Sequence, residues 1–182
     1  MFRRIVITNR YLCKLSLGEQ IKKICREKTA DTVILREKDL SDTEYLELAR
    51  EIKGICDINN IEFICNSNFD ASVKLGVGLQ LSYQNFAGLV PDVNHDILVS
   101  VHSLAEAMNA EKLGANGIIA GHIFETDCKK GLAPRGIEFL KEICDSVNIP
   151  VFAIGGINES NLPDIKRAGA SGACLMSWYM HY

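Results

Sequence analysis

The sequence has no long apolar run, no excess of basic residues and no closely spaced pair of cysteines. A membrane-spanning helix needs about 20 mostly apolar residues, and neither the start, with Arg3 and Arg4, nor any later segment provides such a stretch or a signal peptide. The formal net charge is −3, and the charges are spread along the chain. We therefore expect a cytoplasmic protein with a small-molecule partner and without nucleic-acid or membrane partners.

The spacing of the cysteines does not suggest a zinc site, a metal cluster or a redox dithiol. There are seven, an odd number, at wide spacings and with no Cys-x-x-Cys pair. Most lie inside apolar patterns, where a cysteine acts as a small buried hydrophobic residue.

Short apolar runs alternate with amphipathic stretches along the whole chain, which is typical of a parallel sheet with crossover helices. No linker interrupts the alternation, so residues 1–182 are predicted to form a single domain. Eight strands are predicted: Arg4–Thr8, Thr32–Arg36, Glu62–Cys65, Leu79–Leu81, Ile97–Val101, Gly117–Ala120, Val151–Ile154 and Ala173–Met176. The prediction is an α/β fold, a small (β/α)8 TIM barrel, although such barrels usually have roughly 200 to 250 residues.

The helix pattern is clear except at the end of the chain. The predicted helices are Gly18–Lys28, Tyr45–Ile58 behind a capping box at Ser41–Glu44, Leu104–Leu113 behind Ser103, Gly136–Val147 and Asn161–Ala168. After the eighth strand only residues 177–182 remain, so the last helix is predicted to be truncated or absent. Either the wall is open there and favours a homodimer, or the aromatic tail covers the gap.

In such barrels, functional groups follow the carboxyl ends of the strands. Gly155 and Gly156 end strand seven, where backbone N–H groups next to a helix start can hold phosphate, and Ser177 adds a hydroxyl at strand eight. A tight turn is the alternative reading of the two glycines.

Polar residues at the other strand ends are predicted to complete the site. His122 follows strand six and suits proton transfer, unless its role is structural. Arg36 suits a carboxylate ligand, unless it pairs with Glu37 or Asp39. The predicted substrate-binding residues are Arg36, Lys38, Asn66, Gln80, Ser100, His102 and Lys130.

Several motifs together resemble a known superfamily. They are Ser100-Val-His-Ser103, Gly121-His-Ile-Phe-Glu-Thr-Asp-Cys-Lys-Lys-Gly131, Arg135-Gly136, Ile149-Pro-Val-Phe-Ala-Ile-Gly-Gly156 and Met176-Ser177. The chain resembles the thiamine phosphate synthase superfamily over nearly its whole length, and within it the TenI-type thiazole tautomerases. The Gly-His pair carries this finer resemblance, because the synthase branch usually has Gly-Pro.

By this resemblance, a synthase joins a pyrimidine diphosphate to a thiazole phosphate and needs magnesium held by acidic residues. The ligands look incomplete, since Asn66-Ser67 replaces Asn-Asp, the segment from Ser82 to Asn85 lacks an acid, and Asp70 remains alone. Ile34 also replaces a glutamine that usually precedes the Arg-x-Lys of strand two.

The resemblance therefore predicts a thiazole tautomerase, an isomerase that needs no cofactor. In this reading Gly155, Gly156 and Ser177 hold the phosphate of a thiazole phosphate, and Arg36 or the Ser100–His102 loop receives its carboxylate. His122 moves the ring proton. The alternatives are a magnesium-dependent thiamine phosphate synthase, or a non-catalytic relative that binds phosphate esters. Trp178, where relatives have a small residue, either crowds the ligand or patches the wall.

Overall fold

The protein is a closed barrel of eight parallel strands in sequential order. The computed structural model describes residues 1–88 and 95–182. The strands are β1 (Arg3–Ile7), β2 (Thr32–Leu35), β3 (Glu62–Asn66), β4 (Gly78–Ser82), β5 (Ile97–Val101), β6 (Gly117–Gly121), β7 (Val151–Ile154) and β8 (Gly172–Leu175). β8 pairs with β1, as in the register Arg4 to Ala173, and closes the barrel. The predicted TIM barrel is confirmed.

The barrel interior is packed by apolar side chains at alternate strand positions. Successive side chains of a strand point to opposite faces, so one set fills the barrel while the other contacts the helices. The inner set is Ile5, Ile7, Ile34, Ile64, Leu98, Ile119, Phe152 and Cys174. Because these side chains are buried and packed against one another, a ligand can enter only above them, at the carboxyl ends of the strands.

The helices surround the barrel and differ widely in length. They are α1 (Leu17–Arg26), α2 (Asp42–Ile58), α3 (Phe69–Leu75), α4 (Tyr83–Ala87), α5 (Leu104–Lys112), α6 (Gly136–Ser146), α7 (Leu162–Arg167) and α8 (Ser177–Met180). Ser41 and Glu44 form the predicted capping box, and Ser103 caps α5. The prediction missed α3 and α4, which are too short to develop a clear amphipathic period.

The last helix is a single turn of four residues, as expected, and the aromatic tail packs over the gap beside it. Tyr179 is fully buried, and its hydroxyl donates to the carbonyl oxygen of Thr29. The Gln20 amide donates to the Tyr179 carbonyl oxygen at 2.7 Å, which ties the tail to α1. The seam that would have favoured a homodimer is therefore covered by the chain itself.

Among the helices that the structure describes, none combines the length and apolar character needed to cross a membrane. The longest, α2, has 17 residues and carries charged side chains along its exposed face.

Candidate functional site

A cavity of about 310 Å³ opens at the carboxyl ends of the strands. Its walls are Ile7, Arg36, Lys38, Asn66, Ser67, Gln80, Ser82, Ser100, His102, Ile119, Gly121, His122, Thr126, Lys129, Ile154, Gly155, Gly156, Ile157, Cys174, Met176 and Ser177. All the site residues predicted from the sequence are in this set except Lys130. The structure thus brings together residues from all eight strand ends and the two loops with the clearest motifs.

The cavity floor is a row of neutral hydrogen-bonding groups. Asn66 and Ser100 lie two positions beyond the inward-facing Ile64 and Leu98, so the strand period places them inside the barrel, directly above the apolar layer. The Asn66 amide donates to the Gln80 side-chain oxygen, and the Gln80 amide donates to the Ser100 hydroxyl at 2.8 Å. The row offers amide and hydroxyl groups to a polar heterocycle.

Arg36 and Lys38 reach the cavity because the segment after β2 keeps its alternation. Both line the cavity, while the residues between and after them, Glu37 and Asp39, bind Arg10 instead. The two acids that might have paired with Arg36 are therefore engaged elsewhere. Arg36 makes no ion pair with any residue that the structure describes, which leaves its guanidinium available to a ligand.

A buried network, which we call the Glu37 clamp (Thr8, Arg10 and Glu37), holds this segment in place. Glu37 is 3% exposed, and its carboxylate accepts hydrogen bonds from the Thr8 hydroxyl at 2.8 Å and the Arg10 guanidinium at 2.9 Å. The Thr8 hydroxyl also accepts from the Arg36 backbone N–H at 2.8 Å. The clamp joins the ends of β1 and β2 and fixes the backbone from which Arg36 and Lys38 extend.

A long loop after β6 brings a third cation to the cavity. The loop leaves at His122 and returns at Arg135, whose backbone N–H donates to the His122 carbonyl oxygen at 3.0 Å. Lys129 lines the cavity. The adjacent Lys130 is largely exposed and lies 3.4 Å from the Asp127 carboxylate, outside the cavity wall. The structure therefore gives Lys129 the position that the sequence prediction gave to Lys130.

These three residues, Arg36, Lys38 and Lys129, form what we call the cationic side of the cavity. β2 and β6 lie opposite each other in an eight-stranded barrel, so the loop after β6 reaches across its mouth. The pKa of Lys38 is lowered by the nearby Arg36 charge, by partial burial and by Lys129. Among the cavity-lining residues that the structure describes there is no Asp or Glu. Such a concentration of uncompensated positive charge is suited to a polyanion.

Gly155, Gly156 and Ser177 form a second region, which we call the glycine side. Gly155 has a φ of +101°, and a Cβ there would lie 2.7 Å from the His122 Cα. At Gly156, with a φ of +65°, a Cβ would lie 2.8 Å from the Phe124 Cβ. Both glycines are therefore required by a left-handed backbone and by close packing against the loop after β6.

One part of the phosphate prediction needs correction. The helix after the glycines was predicted at Asn161–Ala168 and is observed at Leu162–Arg167, with Pro163 in its first turn as expected, but its contribution to a phosphate site is smaller than predicted. The intervening chain is a turn in which the Asn161 amide donates to the Gly156 carbonyl oxygen at 2.9 Å. A helix this short and this distant adds little dipole, so backbone N–H groups and the Ser177 hydroxyl are the donors available here.

The two histidines of the cavity both donate to backbone carbonyl oxygens. The His102 Nδ1 lies 2.8 Å from the Gly121 oxygen, and the His122 Nε2 lies 3.3 Å from the Leu132 oxygen. A carbonyl oxygen only accepts, so each of these ring nitrogens carries a proton. His122 is buried against the glycine side, and its bond to Leu132 anchors the loop.

The cavity continues outward into a groove of about 1320 Å³ between this loop and the aromatic tail. Lys129, Gly156 and Ser177 border both spaces. Trp178 lines the outer groove and not the cavity, and its ring packs edge-on against Tyr179 with centroids 4.8 Å apart. The indole therefore patches the wall and leaves the cavity open.

The donors present do not fit a protein-bound magnesium ion. Mg²⁺ is normally held through one or two carboxylates, and the oxygen donors of the described cavity wall are neutral amides and hydroxyls. Asp70 is exposed in the first turn of α3 and does not line the cavity. Within residues 1–88 and 95–182 no group of three or more His, Cys, Asp or Glu side chains could hold a metal ion.

Sequence reasoning missed several cavity residues. Ser67, Ser82, Thr126 and Met176 were not among the predicted site residues, although all line the cavity. Ser82 and Ser100 are paired in the β4–β5 register, so strand alternation could have found Ser82. Thr126 and Lys129 depend on how the loop after β6 folds back, for which the sequence carries no periodic signal.

The chain is similar to a set of proteins with related names. The TMP-TENI family profile, described as thiamine monophosphate synthase, matches residues 5–178. A Clostridium tetani protein named thiamine-phosphate synthase is 35% identical over 180 residues, which is 94% of this chain and 85% of that protein. A Clostridium botulinum protein of the same name is 33% identical over 181 residues, 94% of this chain and 87% of its own length. A solved structure titled thiamine phosphate pyrophosphorylase, from Pyrococcus furiosus, has a TM-score of 0.86 and 30% identity and covers 100% of this chain and 88% of its own.

The interpretation as a thiazole tautomerase is therefore wrong. It depended on the Gly-His pair at residues 121–122 and on the incomplete set of magnesium ligands, which are local features, whereas the similarity to proteins named thiamine-phosphate synthase extends over 94% of the chain. The proton-transfer role predicted for His122 belonged to that interpretation.

Proposed function

The chain belongs to the thiamine monophosphate synthase family, an enzyme family of thiamine biosynthesis, and we propose that it is a thiamine-phosphate synthase. As the resemblance in sequence implies, such a transferase joins a pyrimidine diphosphate to a thiazole phosphate and releases diphosphate. The observation that supports the proposal best is one cavity with two regions suited to anions, the cationic side and the glycine side. Two phosphorylated substrates need two such regions.

The first substrate suits the cavity itself. The diphosphate would bind Arg36, Lys38 and Lys129, since guanidinium and ammonium groups form strong hydrogen bonds to phosphate oxygens. The pyrimidine ring would lie on the floor, where Gln80 and Ser100 offer polar contacts. Gln80 is buried, and the lower local dielectric there increases the strength of such contacts.

The second substrate suits the glycine side. Its phosphate would be held by the backbone N–H groups of Gly155 and Gly156 and by the Ser177 hydroxyl, while the outer groove gives it a path from solvent. His102 stands on the cavity wall, and the hydrogen bond from its Nδ1 to the Gly121 carbonyl oxygen fixes the orientation of its ring. Holding both substrates in one cavity converts a bimolecular encounter into a positioned reaction.

The test is condensation of the two substrates by the purified protein. Thiamine phosphate is measured by fluorescence after oxidation to its thiochrome, with magnesium in one arm and EDTA in the other. We expect product in at least one arm. We expect Lys38→Met to lower kcat/KM by about tenfold or more, because one charge-assisted hydrogen bond contributes about 1.5–3 kcal/mol.

Lys141→Met is the matched control. Lys141 lies on α6 outside the cavity and pairs with Asp145, so its removal is expected to leave the rate within about twofold. Absence of product in both arms, with the protein folded, would contradict the proposed function.

A further inference from the structure

The cavity is unusual in its balance of charge. Three cationic side chains line it, and no carboxylate does so among the residues that the structure describes. The remaining donors, such as Asn66, Ser67 and Gln80, are neutral. A site that binds a metal–diphosphate complex through the protein needs acidic ligands on its wall, and this wall provides the opposite charge.

We propose that Arg36, Lys38 and Lys129 neutralise the diphosphate themselves, in place of a divalent cation held by protein carboxylates. This proposal rests on the proposed function. A diphosphate ester carries about three negative charges near neutral pH, which three side-chain cations balance one for one. A magnesium ion would add two further positive charges to a wall that has no described acid to receive them.

The three cations lie where they could stabilise the negative charge that forms when the bond to the diphosphate breaks. The C–O bond between the pyrimidine methylene and the diphosphate breaks with its electron pair on the oxygen, and a C–N bond forms to the thiazole nitrogen, which becomes cationic. Negative charge therefore grows on the leaving diphosphate. Preorganised cations at that position stabilise the transition state more than the ground state.

The positions of these cations are fixed by the fold, in part through the Glu37 clamp. Lys38 and Arg36 extend from a backbone that Thr8 and the buried Glu37 hold, and Lys129 is carried by a loop closed on His122. The repulsion between Arg36 and Lys38 is not relieved by any ion pair within the described part of the chain. Binding of a polyanion relieves this repulsion, which stabilises the bound state relative to the empty cavity.

The first experiment is calorimetric titration of the full-length chain with inorganic pyrophosphate, in EDTA and in excess magnesium. We expect pyrophosphate to bind in EDTA at least as tightly as in magnesium, because the metal competes with the side chains for the same oxygens. Binding that requires magnesium, or that magnesium tightens by tenfold or more, would overturn the proposal.

A second experiment adds the missing acid. Ser67 lines the cavity, and its backbone has a φ of +56°, a conformation that Asp and Asn tolerate well. We expect Ser67→Asp to bind pyrophosphate in EDTA at least tenfold more weakly than Ser67→Asn, which has the same size and is neutral, and to become magnesium-responsive. If the two folded variants bind pyrophosphate equally well in EDTA, the pyrophosphate does not bind beside these cations, and the proposal is wrong.

Pyrophosphate binding does not depend on turnover, so the two proposals fail separately. A chain that forms thiamine phosphate only with magnesium would refute the charge replacement and leave the proposed function. Tight pyrophosphate binding in EDTA without any condensation would refute the proposed function and support the charge replacement.

Discussion

The cationic side and the glycine side of the cavity would bind an anion through different interactions. Arg36, Lys38 and Lys129 offer full charges on long side chains, whereas Gly155 and Gly156 offer backbone groups on a chain packed directly against His122. Charges act over several ångströms and tolerate small displacements. Backbone donors act only at contact distance, so the glycine side depends on its exact backbone conformation.

The supports of the two sides differ accordingly. A network of polar side chains, the Glu37 clamp, holds the cationic side, whereas close backbone packing holds the glycine side. From this comparison we expect a single substitution on the glycine side to cause a large loss of stability. A single substitution that affects the cationic side is expected to cause a smaller loss of stability and of anion affinity. Three predictions test this difference, from the largest expected effect to the smallest.

The first prediction concerns Gly155→Ala. The new Cβ would overlap the His122 backbone and a φ of +101° disfavours any side chain, so we expect a loss of about 3 kcal/mol or more in the free energy of unfolding. Gly114→Ala is the matched control, because Gly114 has a φ of +93° and no atom within 4 Å of the new Cβ. There the cost is expected to be about 1–2 kcal/mol, from the backbone alone.

Denaturant unfolding of both variants measures the difference. Equal losses for Gly155→Ala and Gly114→Ala would show that the approach of the loop after β6 does not constrain the glycine side.

The second prediction concerns Glu37→Gln. Removing the buried charge leaves Arg10 with the exposed Asp39 as its remaining ionic partner among the described residues, and Arg10 is about a quarter exposed, so we expect a loss of about 2 kcal/mol in the free energy of unfolding. Affinity for pyrophosphate is expected to fall by about tenfold as Arg36 and Lys38 lose their support, with little change for orthophosphate on the glycine side.

Glu19→Gln removes an exposed carboxylate that pairs with Lys22 and is expected to leave the free energy of unfolding nearly unchanged. A Glu37→Gln protein that unfolds like the Glu19→Gln control and keeps its pyrophosphate affinity would argue against the clamp.

The third prediction is a small pH effect at the edge of the cationic side. Hydrogen bonds from Arg10 and then from Tyr11 hold the pKa of Asp39 well below its usual range. A depressed folded-state pKa stabilises the protein at pH values above the unfolded-state pKa of about 4, and this contribution is lost as the pH falls further. We therefore expect Asp39→Asn to lower stability near pH 6 and to lose less stability than the parent chain on acidification below about pH 4.

Denaturant unfolding at a series of pH values makes this comparison. Parallel stability curves for the parent chain and Asp39→Asn would mean that the carboxylate has the same pKa folded and unfolded.

The repeating part of the fold could be predicted from residue pattern alone. All eight strands were located within one or two residues of their observed bounds, because a buried parallel strand is a short apolar run between turn signals. The capping box at Ser41 and Glu44 was also found, since caps are local chemistry. The strand ends in turn identified most of the cavity wall.

Residue pattern did not predict features that depend on contacts between residues far apart in the chain. The choice of Lys129 over Lys130 depends on how one loop returns to β6, and both residues are equally basic and equally placed by sequence. The fate of Arg36 was likewise open, because only the folded structure shows that Arg10 occupies Glu37 and Asp39. The Gly-His pair and the missing magnesium ligands led to the wrong function, because a few local residues do not distinguish branches of one family that share a similar sequence along the whole chain.

The sequence by itself determined the alternation of strands and helices, the order of the barrel and the strand ends that carry polar groups, because periodicity and capping act over a few residues. The tertiary structure alone decided which charges remain without partners and which face one another across the mouth. Those facts depend on residues that are far apart in the chain, and only closure of the barrel brings Lys129 to Arg36 and Lys38.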